Sequence, residues 1–210
     1  MLPEAYDTVP DNPSGQVQRF CIGPRPRLAP HLPRGEGKAL VFVTFGTEAH
    51  KLPFTESILR QVVEGAASMP IRLLVAAGGA DTSRWGPLAD NVRVEPWVDQ
   101  DKAIAAAAAV VCHAGAGTVF SALRAGVPLV AIPLFADQPD NAKRVHDTRV
   151  GLSVVLGPDR FVTPVHIRES LDRVLHLADY RIAASQTARD IEGLPSVKEA
   201  VVLLEAAAGC

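Results

Sequence analysis

From residue 39 onward the chain alternates short, nearly continuous apolar runs with stretches whose apolar residues recur at helical spacing, and that alternation leaves few folds open. Ala39 to Phe45 is a run of strand type, Gly46-Thr47 is a turn, and Phe54 to Ala67 reads as an amphipathic helix with Ile58, Leu59, Val62 and Val63 on one face. Further strands are predicted at Ile71 to Ala76, Val92 to Glu95, Val110 to His113, Pro128 to Leu134 and Leu152 to Val155. Between them lie an alanine-rich helix from Lys102, a helix over 117–125 and another from Gln138 to Thr148. Helices Pro164 to Leu177, Tyr180 to Glu192 and Pro195 to Ala208 close the series. Strands apolar on both faces, separated by helices, predict a parallel sheet with helices on both faces and right-handed crossovers, a Rossmann-like α/β domain.

The 210 residues, 48% hydrophobic with a net charge of -2, suffice for one domain with a sizeable core, expected over 38–210. Residues 1–37 are rich in Pro and Gly and read as an interdomain-type linker in which only Val17 to Ile22 resembles a short strand. Without a basic run or interleaved aromatics, nucleic acid is not an expected partner. Apolar stretches are broken by Gly, Pro or charge well before the roughly 18 residues of a membrane span, and Met1 is followed by Pro3, Glu4 and Asp7 rather than a basic, apolar leader. A cytoplasmic location is therefore expected. Cys21, Cys112 and Cys210 form no CxxC, so neither a disulfide framework nor a zinc site is indicated, and Cys112 reads as a buried strand residue.

Open parallel sheets bind ligands outside the carboxyl ends of their strands, so the residues just after each strand carry the functional information. They are Gly46-Thr47, Gly78-Gly79, Trp97 to Gln100, His113 to Thr118 and Asp137-Gln138. The stretch His113-Ala114-Gly115-Ala116-Gly117-Thr118 is a glycine-rich turn from strand to helix, which aims backbone N–H groups and the helix dipole at one point and suits phosphate. Its glycines let the backbone turn sharply. Thr118 can cap the helix or bind a phosphate oxygen, and His113 can donate a ring N–H. A tight connection with no ligand is the competing explanation. Trp97 can stack on a nucleobase or fill the core. Asp137-Gln138 can bind adjacent sugar hydroxyls, or begin the next helix as N-cap and first-turn residue.

A base, a diphosphate and a hydroxylated ring together describe an activated sugar. Competing ligands fit less well. The dinucleotide fingerprint GxGxxG fails because Phe120 stands at its third glycine, and neither GxxxxGK[ST] nor GxSxG occurs. Asp99-Gln100-Asp101 spells DxD, which can hold a divalent cation on a sugar nucleotide, but acidic residues ahead of a helix at Lys102 also serve as cap and dipole partners. His31, His50, His146, His166 and His176 have no metal-ligand spacing, so no metal site is expected.

The assembled residues Pro96-Trp97-Val98-Asp99-Gln100, His113 to Thr118, Gly126-Val127-Pro128, Pro133, Asp137-Gln138 and Asn141 resemble the donor-binding signature of the UDP-glycosyltransferases, in particular bacterial enzymes that glycosylate macrolides and other natural products. The resemblance covers residues 39–157, and the segment Phe20 to Pro33 resembles the join between the halves of these GT-B enzymes. It implies that Trp97 stacks on uracil or thymine and that Val98 and Gln100 meet base or ribose. Thr47, His113, Gly117 and Thr118 would hold the diphosphate, Asp137 and Gln138 the sugar, and Gly46, Gly115 and Ala116 would belong to the same nucleotide-sugar site. The donor would be a UDP- or TDP-sugar, with no cofactor and no metal. Two departures accompany the match. Ser121 stands where many relatives carry a ribose-binding glutamate, and the acceptor-binding N-terminal domain with its general base is not in this sequence, so no catalytic residue is assigned.

The expected function is thus the donor-binding half of an inverting glycosyltransferase, partnered by an acceptor-binding domain or subunit. In relatives the last helix crosses to that domain, so a homodimer covering the exposed surface is also expected. The alternative is a non-catalytic or split-subunit nucleotide-sugar-binding protein. A third option, a sugar-nucleotide 2-epimerase of the same plan, is disfavoured by Trp97 and Asp137-Gln138.

Overall fold

A computed structural model describes residues 18–21, 37–157 and 161–209. The expected linker 1–37 therefore lies largely outside the described residues, as do His31 and Cys210. In place of a strand over Val17 to Ile22, the described part makes a single parallel bridge, Cys21 to Ser196, with Cys21 N donating to the Pro195 carbonyl at 2.8 Å.

The strands among the described residues are β1 (Ala39–Thr44), β2 (Ile71–Ala76), β3 (Val92–Glu95), β4 (Ala109–Cys112), β5 (Leu129–Ala131) and β6 (Gly151–Ser153). All pair in parallel, in the order β3-β2-β1-β4-β5-β6. The α-helices among the described residues are α1 (Thr55–Ala67), α2 (Gln100–Ala106), α3 (Ala116–Arg124), α4 (Gln138–Asp147), α5 (Pro164–His176), α6 (Ala178–Glu192) and α7 (Val197–Ala208). Because side chains alternate across a strand, the sheet feeds two cores. Val41, Val43, Leu73, Val75 and Val111 join Ile58, Leu59 and Val62 of α1 and Ile167 and Leu171 of α5 on one face. Phe42, Val110, Cys112, Leu129 and Ala131 join residues of α2, α3, α4 and α6 on the other. The burial of Cys112 pushes its thiol up to about 12, as suits an inert strand residue.

Strands β1, β4, β5 and β6 end earlier than the sequence predicts, β1 by one residue at Thr44 and β6 by two at Ser153. Strand β4 stops at Cys112 because the chain turns at Ala114, whose φ is 63°. Strand β5 is three residues long; it follows Pro128, which has no N–H to donate, and Ile132 N closes the ladder on the Cys112 carbonyl at 2.8 Å. Helix α2 begins at Gln100, two residues before the expected Lys102, with Asp99 as its N-cap accepting from Lys102 N at 3.2 Å. Among the described residues no helix is long and apolar enough to cross a membrane.

Helices α1 and α5 pack closely at Gly65, where a Cβ would stand 2.5 Å from the Pro164 carbonyl oxygen and 3.0 Å from Ile167 Cβ. Alanine in place of glycine gains up to about 1 kcal/mol of helix propensity. Forcing two helices apart costs about 1–3 kcal/mol, and the nearer atom belongs to the backbone and cannot rotate away. Gly65→Ala should therefore lower the urea midpoint at unchanged slope; a midpoint at or above that of the parent would contradict this packing.

Candidate functional site

The order of the strands reverses between β1 and β4, and there the loops that leave the two strands diverge. The space between them holds the imidazole of His113. A Cβ on Gly115 would lie 2.4 Å from His113 Nε2, and one on Gly46 would lie 3.0 Å from His113 Cε1. These two glycines thus make room for the ring. The sharp turn expected from the glycines of the 113–118 stretch is instead taken by Ala114, at positive φ with a fully buried side chain. Gly46 itself has φ 70°, and its N–H donates to Thr44 Oγ1 at 3.2 Å. Phe45 borders the ring, with centroids 6.4 Å apart.

Gly115 is the N-cap of α3, without a side-chain cap, and the first helical bond runs from Val119 N to the Gly115 carbonyl at 3.1 Å. The N–H groups of Ala116, Gly117 and Thr118 precede that bond and point along the helix start. A Cβ on Gly117 would meet nothing within 4 Å, so no protein neighbour requires the glycine. The expectation that Thr118 caps the helix is corrected. Thr118 is buried one turn in, and its hydroxyl donates to Gln100 Oε1 at 3.3 Å. Gln100 is accordingly turned toward α3, and Val98 is half-buried against the Phe42 core.

Trp97 is 75% exposed at the end of β3, which removes the core explanation. Thr47 is exposed after β1. Gly78 and Gly79 both have positive φ, and the exposed His50 ring lies against Gly79, whose Cβ would be 3.2 Å from His50 Cγ. Beyond β5, Gln138 is buried, and its Oε1 accepts from Leu134 N at 2.9 Å and Phe135 N at 3.1 Å. It pins its own loop and retains only its amide hydrogens for a ligand. Asp137 occupies the N-cap position of α4 without a capping bond; its exposed carboxylate accepts from Asn141 Nδ2 at 2.9 Å. Asn141 also reaches the Ala114 carbonyl at 3.1 Å and so joins the two loops. Its spacing of four from Asp137 on a helix was the available signal for that pairing.

The acidic triplet behaves as cap and dipole partner. Asp99 is held by Lys102 Nζ at 2.9 Å as well as by Lys102 N, and the side-chain hydrogen bond from Lys102 lowers its pKa. Among the described residues no cluster of three His, Cys, Asp or Glu is arranged to hold a metal. A groove of about 610 Å³, lined in part by Pro133, Leu134, Lys143, His146 and Val155, adjoins the loop after β5. The loops named above form an open ledge.

A six-stranded parallel sheet in this order is Rossmann-like, and the solved structures that it matches are GT-B glycosyltransferases, of which the chain covers about half. The crystal structure of the glycosyltransferase of kitacinnamycin matches with a TM-score of 0.74 and 26% identity over 89% of this chain and 47% of that one. The glycosyltransferase VinC, solved with dTDP, gives 0.67 and 28% over 80% of this chain and 41% of that one. The family model for the erythromycin biosynthesis protein CIII-like, C-terminal domain matches residues 60–207, and the chain belongs to that family. The elloramycin glycosyltransferase of Streptomyces olivaceus is 34% identical over 171 residues, 80% of this chain and 42% of that protein. The chain thus spans less than half the length of these relatives.

Burial pushes the His113 imidazole below its ordinary pKa, while the nearby Thr44 carbonyl and Asp137 carboxylate pull it partly back. Its Nδ1 is buried and makes no well-formed hydrogen bond. An unfolded histidine titrates near about 6.5, so on acidification the unfolded chain takes up the proton first. The stability contributed by the neutral ring is whole above about pH 6.5 and fades as pH falls through the lowered folded value. His113→Gln should therefore lose less stability than the parent between about pH 7 and pH 5. Urea unfolding at both pH values checks this, and equal losses in the two proteins would refute it.

Proposed function

We propose that this chain binds the donor of an inverting, metal-independent glycosyltransferase, a UDP- or TDP-sugar. The observation that carries the reading is the convergence at the sheet reversal of a buried imidazole and the uncapped start of α3, a pairing that suits a diphosphate. Along the sheet edge in strand order stand an exposed indole after β3, the anion-binding turns after β1 and β4, and an exposed carboxylate after β5. Base, diphosphate and sugar would lie in that order. Trp97 would stack on the base, with Val98 and Gln100 beside it. Gly46, Thr47, His113, Gly115, Ala116, Gly117 and Thr118 would hold the diphosphate, through backbone N–H groups where side chains are committed, and Asp137 and Gln138 the sugar. The dTDP complex of VinC supports a nucleoside diphosphate as the ligand class.

In the reaction an acceptor hydroxyl attacks the anomeric carbon from the face opposite the diphosphate. The bond from carbon to the diphosphate oxygen breaks, its electron pair leaves with the nucleoside diphosphate, and the hydroxyl proton passes to a base in the acceptor-binding half. His113 and the dipole of α3 would meet the charge that develops on the leaving group, the task a metal performs elsewhere. The acceptor is proposed to be a natural product held by that other half, whether domain or subunit. Helix α7 supports such a partner, since Val197, Val201, Val202, Leu203 and Leu204 are all exposed and none of its residues is buried. Light scattering of the chain alone decides between a bare monomer and a homodimer that covers this face.

Calorimetric titration with UDP and TDP tests the donor reading. One of the two should bind equally with and without EDTA. His113→Ala should weaken binding by about 1.5–3 kcal/mol, the worth of a hydrogen bond to a charged group. Trp97→Ala should cost about 1–3 kcal/mol of stacking. Failure of both nucleotides to bind, or indifference to both substitutions, would overturn it.

A further inference from the structure

Asn141 follows Asp137 by one helical turn, is 6% exposed, and has its amide committed on every side. Nδ2 donates one hydrogen to the Ala114 carbonyl at 3.1 Å and the other to Asp137 Oδ2 at 2.9 Å, and Oδ1 accepts from Arg144 Nη1 at 3.3 Å. Turning the amide over would set Oδ1 against two oxygen acceptors, so the network dictates its orientation. Ala114 is the residue held at φ 63°, a conformation that L residues keep only when their surroundings enforce it. Its peptide leads through Gly115 into the start of α3. Asp137 in turn lies close enough to His113 for its charge to act on that ring. One buried amide therefore holds the backbone that aims the helix start and the carboxylate at the end of β5.

We propose that Asn141 is a positioning residue that couples the anion-binding turn to the sugar-facing carboxylate, so that one latch sets the geometry for both parts of a sugar nucleotide. The proposal rests on the donor-binding reading above. Asp137 gives one oxygen to the latch and keeps Oδ1 for a sugar hydroxyl. Loss of the latch frees the Ala114 carbonyl and the Asp137 rotamer together, whereas loss of Asp137 leaves the Asn141 bond to Ala114 in place. The two substitutions should therefore differ in kind.

The test uses the whole chain, with UDP, TDP and their glucose conjugates as probes. Asn141→Ala should weaken the bare nucleotide about tenfold and also abolish any advantage of the sugar nucleotide, while Asp137→Ala should remove that advantage alone. Asn141→Asp keeps the side-chain size but sets a carboxylate beside Asp137. The other charged groups near it are Arg144 on the same helix and His113 across the turn. As pH falls the paired carboxylates share a proton, which restores the bond to Asp137 but leaves the Ala114 carbonyl without a donor, because a carboxylic acid has one hydrogen where the amide has two. Measured against the parent at each pH, this variant should be about tenfold weaker near pH 8 and recover only in part near pH 5.5, while Asn141→Ala stays weak throughout. An Asn141→Asp variant that tracks the parent at every pH would overturn the proposal, as would an Asn141→Ala variant that spares the bare nucleotide. Amide hydrogen exchange of the ligand-free chain gives an independent decision. Faster exchange at 119–120, the first bonded amides of α3, in Asn141→Ala, with α1 and α5 unchanged, supports the latch; unchanged exchange at 119–120 overturns it. A parent chain that binds no nucleotide would sink the donor reading and leave the exchange measurement to judge the latch.

Discussion

Parallel pairing of β1 with β4, Val41 opposite Ala109 through Thr44 opposite Cys112, is the constraint from which the remaining architecture follows. Both strands are buried on both faces, so their registers are fixed by two cores at once. The chain then extends the sheet outward in opposite directions, through β2 and β3 on one side and β5 and β6 on the other. At the reversal the exiting loops separate, and the gap they leave is filled by an imidazole rather than by an aliphatic side chain. Polar chemistry at this place is thus a product of the topology, because only here do two strand-end loops part without a helix crossing between them.

What surrounds the ring is mostly backbone. Gly46 and Gly115 clear its edges, the Ala114 peptide is tied down by Asn141, and the loop after β5 is pinned by Gln138 through two main-chain N–H groups. Side chains that sequence inspection marks as contacts therefore divide into two sets. Trp97, Thr47 and Asp137 are open to solvent and can meet a ligand directly. Thr118 donates to Gln100 Oε1, and Gln138 Oε1 accepts from main chain, so these three side chains also hold the ledge in shape. A buried polar group that is satisfied internally fixes geometry with few alternatives, since each alternative leaves a donor or acceptor unpaired.

The fold was legible in the sequence because its signals are local and redundant. The run Ile71 to Ala76 and the helix over Thr55 to Ala67 each carry the right period, and the two patterns demand the same layered sheet. The ledge was legible to the level of loops, since strand ends follow directly from strands. Individual roles were less so. No local pattern reveals that Thr118 turns toward Gln100, or that Ala114 rather than a neighbouring glycine takes the positive φ, because both depend on elements brought together only by the sheet. The short β5 has the same origin: Pro128 to Leu134 is apolar because it is buried, and burial extends beyond the hydrogen-bonded ladder.

Gly78 has a further consequence. A Cβ there would stand 2.3 Å from the Gly46 carbonyl oxygen, Gly46 in turn abuts His113, and His113 abuts Gly115. Four positions from three separate loops thus stand in a single file with no slack. Mutational change along that file is propagated from end to end, whereas exposed neighbours such as Thr47 and Trp97 lie outside it. A lineage built on this scaffold can vary its choice of ligand at the exposed positions while the file stays as it is. At those four positions the density of the packing limits substitution, whatever ligand the exposed positions meet.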